Sequence, residues 1–276
     1  MTAPLVTLGM PVRNGAATLR VALDSMVAQD YPNLEIVISD NASDDQTLEI
    51  LAEYEARFAN IRIIRQSKPL TATGNFLFVL GEAKGEFFAW CAHDDTRSSD
   101  FVSALVAGFR DDTVLSFGDW YIWDGKERAV LQSHYDFQTE GLSVNRRLMK
   151  AAYMQCAHFY GVWRTVSLKR IRYRVTLWWP DMPFMLGAAT LGTFRYIPGP
   201  AFYYFEMIKA DDIRERYHND RQAPPKWYNL FDLLRGSYCT VHRTKDVLHA
   251  LLAVVFLADK HTRGLIGLAR RFRRRA

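Results

Sequence analysis

The sequence predicts an α/β fold with a Rossmann-like central, mostly parallel sheet flanked by helices, and two observations carry that reading. Strand and helix signals alternate through the first half of the chain, the pattern of strands joined by crossover helices. Three of those strands end in polar clusters, at Pro11 to Gly15, Ser39 to Asp45 and Ala92 to Asp95. Parallel strands bring such ends to one edge, where ligands bind in open α/β sheets.

The elements follow in order. Leu5 to Pro11 (LVTLGMP) reads as the first strand, and Ala17 to Gln29 has apolar residues at helical spacing. Leu34 to Asp40 (LEIVISD) is the second strand, separated by the polar turn NASDD from a helix over Gln46 to Phe58. Ile61 to Gln66 is the third strand, followed by a helix over Gly74 to Ala83. Glu86 to Ala92 (EFFAWCA) is the fourth strand, with a helix over Ser99 to Phe109 after it.

Beyond this point the alternation stops. Thr113 to Gln132 reads as a strand running into a hairpin that turns at Asp124-Gly125. Leu142 to Tyr153, Val166 to Ile171 and Met182 to Ala189 read as helices, and Phe194 to Glu206 as two short strands around Pro198-Gly199-Pro200. Lys209 to Pro225 is polar and irregular, a mobile loop by expectation. Trp227 to the end is helical, and its apolar stretch LLAVVFLA is too short to cross a bilayer. The expected organisation is one domain over residues 1–225 and a helical extension over 226–276.

Composition narrows the class. With 49% hydrophobic and 24% charged residues, the 276-residue chain has the means to bury a core. Cys91, Cys156 and Cys239 are odd in number and form no C-x-x-C pair, against both a disulfide framework and a zinc site. That usage suits a reducing compartment, and the N-terminus lacks a signal-peptide pattern, so the expected location is cytoplasmic. The net charge of +5 misleads, because Thr262 to Ala276 holds six arginines and no acid; removing those six leaves −1. A body so near neutrality does not suit nucleic acid as a partner.

Each polar tip has a plain explanation. NGAAT makes a turn, and DNASDDQT and HDDTRSSDF supply helix caps. Capping leaves open why acids gather at two strand ends while no phosphate loop exists. There is no G-x-G-x-x-G after the first strand and no G-x-x-x-x-G-K-[ST] anywhere. A phosphate site without either device needs another positive charge, and a carboxylate-bound Mg²⁺ or Mn²⁺ supplies one.

In order and spacing, TLGMPVRNGAATLRVALDSMVAQDYPNLEIVISDNASDDQT and ATGNFLFVLGEAKGEFFAWCAHDD resemble the nucleotide-sugar-binding half of the family 2 glycosyltransferases, over roughly Leu5 to Phe109. The resemblance implies the GT-A fold, inverting transfer from a nucleotide-diphospho-sugar, and Mn²⁺ or Mg²⁺ as cofactor. It makes residues 1–112 the donor half and 113–225 the acceptor half. By the same resemblance Pro11, Val12, Arg13, Asn14 and Asp40 contact the nucleoside, with Asp40 accepting from the base. Asp94 then lies near the ribose and Asp95 binds the metal, while Asn75 matches an Asn at the start of the helix before the metal strand. His93 stands where the family usually has a third acid or a small residue.

The second half resembles the family more loosely, through YGVWRTVSLKRI and WWPDMPFMLGAATLGTFRYIPGPAFYY. In that register Asp181 falls where inverting members keep a general base, and a helix cap is compatible with the same position. Trp178 and Trp179 form either a wall for an acceptor sugar or part of the core. His218 is either a closing-loop contact to metal and diphosphate or a solvated loop residue. The implied donor is a UDP-sugar, with a dTDP-sugar making similar contacts. The implied acceptor is a saccharide or lipid-linked saccharide, as in bacterial surface polysaccharide assembly. Leu265, Leu268, Ala269 and Phe272 share one helical face with arginines largely off it, which suits either an anionic membrane surface or a solvated tail. Two rivals stand beside this reading: a sugar nucleotidyltransferase, and a non-catalytic nucleotide-sugar-binding scaffold with a degenerate site.

Overall fold

The computed structural model describes residues 2–123, 128–130, 137–151, 156–171 and 181–205, with backbone alone at 122, 123, 128–130, 156 and 181–183. The expected Asp124-Gly125 turn, Trp178, Trp179, His218, the Lys209–Pro225 loop and the 226–276 extension lie outside the described residues.

Three parallel crossovers build the first half. Strand β1 (Val6–Val12) is buried at every position, as a central parallel strand covered on both faces must be. It is followed by α1 (Leu19–Val27), β2 (Leu34–Asp40), α2 (Thr47–Arg57), β3 (Ile61–Arg65), α3 (Ala72–Glu82) and β4 (Phe87–Trp90). Helix α1 buries Leu19, Ala22, Leu23 and Met26, the i, i+3, i+4, i+7 stripe of an amphipathic helix. The register aligns the strand ends: Val12 pairs with Asp40, and Asp40 with Arg65.

Alternation along the strands divides the core in two. Val6, Leu8, Met10, Phe87 and Ala89 pack with α1, α2 and α4 (Phe101–Ala107) on one face. Phe88 and Trp90 point to the opposite face, into a cluster with Phe159, Trp163, Phe184 and Phe194. There Trp90 stacks on Phe159 at 4.2 Å and meets Phe184 edge-on at 5.3 Å. Both indole N–H groups are satisfied, Trp90 by the Phe76 carbonyl and Trp163 by the Phe159 carbonyl. Gly9 lets this happen, since a Cβ there would meet the Phe88 ring at 2.6 Å.

The second half is mixed. It comprises β5 (Thr96–Arg97), β6 (Thr113–Trp123), β7 (Arg128–Val130), α5 (Val144–Ala151), a 3-10 turn (Cys156–Tyr160), β8 (Val162–Arg164), α6 (Thr165–Leu168), α7 (Asp181–Leu191) and β9 (Thr193–Phe205). The described sheet runs β3-β2-β1-β4-β8-β6-β9-β5, with β7 paired to β6. Strand β8 pairs antiparallel with both β4 and β6, while β6 and β9 are parallel.

One expectation needs correction, and two strands are new. The pair of short strands around Pro198-Gly199-Pro200 is one strand, β9, with a register shift opposite Phe117/Asp119 that sets Ile197 to Pro200 aside as a bulge. Asp119 holds the bulge, its Oδ1 accepting from Tyr196 Oη at 2.6 Å and its Oδ2 from Gly199 N at 3.1 Å. Burial, then the bond to Asp119, pushes the Tyr196 hydroxyl up to about 12. Strands β5 and β8 were not expected at all. Each is too short to show a period, and each exists because a neighbouring strand supplies its hydrogen bonds.

Candidate active site

The ends of β1, β2 and β4 meet at one edge, and side chains lace their loops together. Beyond β1, three successive backbone N–H groups are taken by the loop after β2 and the first residue of α2. Asn14 N donates to Ser43 Oγ at 3.0 Å, Gly15 N to Thr47 Oγ1 at 2.9 Å and Ala16 N to Asp45 Oδ2 at 3.1 Å. Asn14 answers by accepting from Asp44 N at 3.0 Å, and Asp45 Oδ1 accepts from Thr47 N. These bonds hold the Asp45 carboxyl below its ordinary range, first through Thr47. They also hold two left-handed residues, Asn14 at φ 53° and Ala42 at φ 54°. For an alanine that conformation costs about 1 kcal/mol, so its surroundings must fix it.

Asp40 is fully buried. Its Oδ1 accepts from Ser43 N at 3.2 Å, and its Oδ2 lies 3.6 Å from Arg65 Nε with no hydrogen bond among the described residues. Arg65, which the sequence did not single out, therefore covers the carboxylate expected to meet the base. Asn75 is also buried. It accepts from Ser39 Oγ at 2.6 Å and donates to Ser39 O at 3.2 Å, bracing β2 from α3. Pro11 and Val12 are buried in the strand end, whereas Arg13 and Asn14 are exposed at the loop crest. His93 packs beside Gly15, where a Cβ would meet its ring at 3.0 Å, and its Nδ1 lies 3.1 Å from Thr18 Oγ1. His93, standing where the family usually has a third acid or a small residue, thus ties the β4 tip to the segment after β1.

The pair that follows is uneven. Asp94 is half-buried, while Asp95 is 2% exposed. Asp95 Oδ1 accepts from Phe205 N at 3.0 Å, a bond from the far end of β9, and Oδ2 has no hydrogen-bond partner among the described residues. Burial pushes the Asp95 carboxyl up to about 7, and the Asp94 charge pushes the same way; the Phe205 N–H and Arg97 oppose them. A buried carboxylate oxygen without a partner, next to a second acid, leaves negative charge that a cation would balance. The donor set of carboxylate oxygens therefore fits a hard divalent ion, which binds through one or two carboxylates and completes its shell with phosphate and water. Among the described residues no group of three or more His, Cys, Asp or Glu gathers to hold a metal by itself.

The strands that form this edge fall within a stretch that matches a known family. The model of the family described as "Glycosyl transferase family 2" matches residues 7–171. The chain belongs to that family. Its relatives include an uncharacterized glycosyltransferase of Rickettsia typhi, 38% identical over 93 residues that make up 33% of this chain and 28% of that protein. The matched stretch is thus little more than a quarter of that relative's length. Among solved structures, S. aureus TarS 1-349 in complex with UDP aligns with a TM-score of 0.63 at 18% identity, covering 93% of this chain and 71% of that one. The mannosyltransferase PcManGT from Pyrobaculum calidifontis, in complex with GDP-Man and Mn²⁺, aligns with a TM-score of 0.58 at 16% identity, covering 98% and 81%. At such identities the likeness establishes the fold, which is GT-A.

Within this family 2 chain the structure gathers Arg13, Asn14, Asp40, Asp94 and Asp95, with His93, at one sheet edge. Asp181 opens α7 as expected of a helix start, and its carboxylate is outside what is described. Sequence reasoning missed Ser43, Asp45 and Thr47 as cross-loop partners, although their polar spacing ahead of a helix was visible. It missed Arg65 because Asp40 lies 25 residues away, and Arg97 because a strand end folding back on a thiol and a carbonyl leaves no residue pattern.

Proposed function

We propose that the chain is a metal-dependent, inverting glycosyltransferase that moves a sugar from a nucleotide-diphospho-sugar to an acceptor hydroxyl. One observation carries the reading: a buried carboxylate oxygen without a partner, Asp95 Oδ2, beside a second acid, Asp94, at the edge where the nucleotide is expected. The laced β1 loop supports it. Three N–H groups that would cradle phosphate in a glycine-rich loop are already satisfied, so the diphosphate requires charge from elsewhere. This also argues against a nucleotidyltransferase, which relies on such a loop for its triphosphate. When bound by Asp95, Mn²⁺ or Mg²⁺ supplies positive charge against which the diphosphate departs.

The chain's own residues have separable tasks in this reading. Arg13, Asn14 and Asp40, with Arg65 lying over the Asp40 carboxylate, form the nucleoside end, with Pro11 and Val12 as its floor and Asn75 as a brace behind it. Asp94 faces the ribose. Asp181 takes the proton of the acceptor hydroxyl as that oxygen attacks the anomeric carbon from the face opposite the diphosphate. The bond to the diphosphate oxygen breaks with its electron pair on the leaving group, and the configuration inverts. The favoured donor is a UDP-sugar, with dTDP as an alternative; solved relatives that hold UDP or GDP-Man support the donor class. The acceptor is a saccharide or lipid-linked saccharide in polysaccharide assembly. A basic C-terminal helix resting on the anionic inner face of a membrane suits that acceptor, and His218, Trp178 and Trp179 are assigned to the donor and acceptor sides respectively. Among the described residues no helix is long and apolar enough to cross a membrane.

The test is turnover of nucleotide sugars with Mn²⁺, with the anomeric configuration of the product read by NMR. Asp181→Asn is expected to lower kcat by at least about a hundredfold while leaving donor binding within a few-fold. Full activity in that variant removes the base assignment. Donor binding without turnover for any nucleotide sugar favours the non-catalytic scaffold instead.

A further inference from the structure

Arg97 is a buried cation that the proposed chemistry does not use. It lies two residues beyond Asp95 in β5 and is 5% exposed. Its Nη1 donates to Cys91 Sγ and its Nη2 to the Trp90 carbonyl at 3.3 Å; the guanidinium stands 5.5 Å over the Phe101 ring. Its Nε has no hydrogen-bond partner among the described residues. Burial pushes the Cys91 thiol up, so the sulfur stays a neutral, weak acceptor. A guanidinium with such partners is costly to bury unless a carboxylate shares its field.

Its contacts lie at the two ends of one short segment. Trp90 closes β4, and Cys91 N still donates to Gly9 O as the last tie to β1. Thr96 and Arg97 pair with Tyr203 and Phe202 of β9, the strand that also sends Phe205 N to Asp95. The chain between those anchors carries His93, Asp94 and Asp95. We propose that Arg97 is a positioning residue whose fork closes this segment on itself, so that Asp95 keeps its unpartnered oxygen set for a divalent cation. A lysine cannot do this, because one ammonium does not span a thiol and a carbonyl in the fixed plane of a guanidinium.

The inference rests on the metal reading above, and the experiment separates the two. Free Mn²⁺ is followed by its EPR signal during titration into the full chain with UDP present. The series is wild type, Asp95→Asn, Arg97→Lys, Arg97→Met, Cys91→Ala and Cys91→Ser. Arg97→Lys is expected to raise half-saturating Mn²⁺ about tenfold, the usual scale for a residue that orients a metal ligand. Cys91→Ala is expected to move it the same way by less, with Cys91→Ser restoring it. If Arg97→Met does not fold, the lysine and Cys91 variants carry the test.

Folded Arg97 variants that bind Mn²⁺ as wild type does would reduce Arg97 to a packing residue, whatever their melting temperatures, and overturn the inference. Tighter binding in Arg97→Met also overturns it, since that outcome marks a charge opposing the cation rather than a positioner. Both results leave the metal reading standing if Asp95→Asn loses Mn²⁺. Wild type and Asp95→Asn that equally fail to bind Mn²⁺ overturn both.

Discussion

The tips of β1, β2 and β4 are held by side chains that reach backbone groups in the next loop, whereas β6, β8 and β9 are held by aromatic packing and one irregular strand pair. In the first region Ser43, Asp45 and Thr47 satisfy Asn14, Gly15 and Ala16 across the loops. In the second Trp90, Phe159, Trp163 and Phe184 interlock beneath the sheet, and the β9 bulge hangs on Asp119. The difference teaches how stability and geometry are divided. Polar lacing contributes about 1 kcal/mol per bond and fixes positions closely; a buried aromatic contributes several times more and tolerates small shifts.

Asp95 joins the two regions, and its substitution has the largest expected effect. Asp95→Asn should lower transfer about a thousandfold with Mn²⁺ present, the scale of several kcal/mol of lost charge stabilisation. Its stability should move the other way. The folded carboxyl sits near 7 against about 4 in the unfolded chain, so between those values the folded chain holds a proton that the unfolded chain releases. Its contribution is complete below about pH 4 and is lost as pH rises through 7. At pH 8 without metal, Asp95→Asn should therefore be more stable than wild type, by an amount on the order of 2–4 kcal/mol. Thermal melts at pH 5 and pH 8 check the sign; equal shifts at both would show that Asp95 is not the strained joint between the regions.

Phe184→Ala comes next. It removes an edge contact to Trp90 and should cost about 3–5 kcal/mol in denaturant unfolding. Asp45→Ala is the smallest of the three, about 1 kcal/mol, because its bond to Ala16 N is exposed to solvent. It should nevertheless weaken donor binding several-fold through the loosened β1 loop, while Phe184→Ala leaves the affinity of its folded fraction unchanged. Reversed orders in either measurement would break the comparison between lacing and packing.

The same contrast explains what could be read in advance. Leu34–Asp40 was legible to the residue because an apolar run bounded by turn chemistry is a local signal. The helices α1 and α2 agreed within two residues for the same reason. β9 was misread as two strands because Pro198-Gly199-Pro200 carries every local mark of a turn. Only pairing with β6 on both sides of the bulge keeps it one strand. At the site, residue types were legible and partners were not. Asp40 was visible as an acid at a strand end, but not as a buried group under Arg65.

The sequence by itself determined the order of the first seven elements, the acids and amides at three strand ends, and the family to which the chain belongs. Short periods and neighbouring hydrogen-bonding groups suffice for that. Only the tertiary structure decided which acid is special. Asp94 and Asp95 are adjacent and chemically identical, and they differ because one is half in solvent while the other is enclosed by a strand that begins about a hundred residues later. Desolvation and the single bond from Phe205 N separate them, and both depend on chain that the local sequence does not contain.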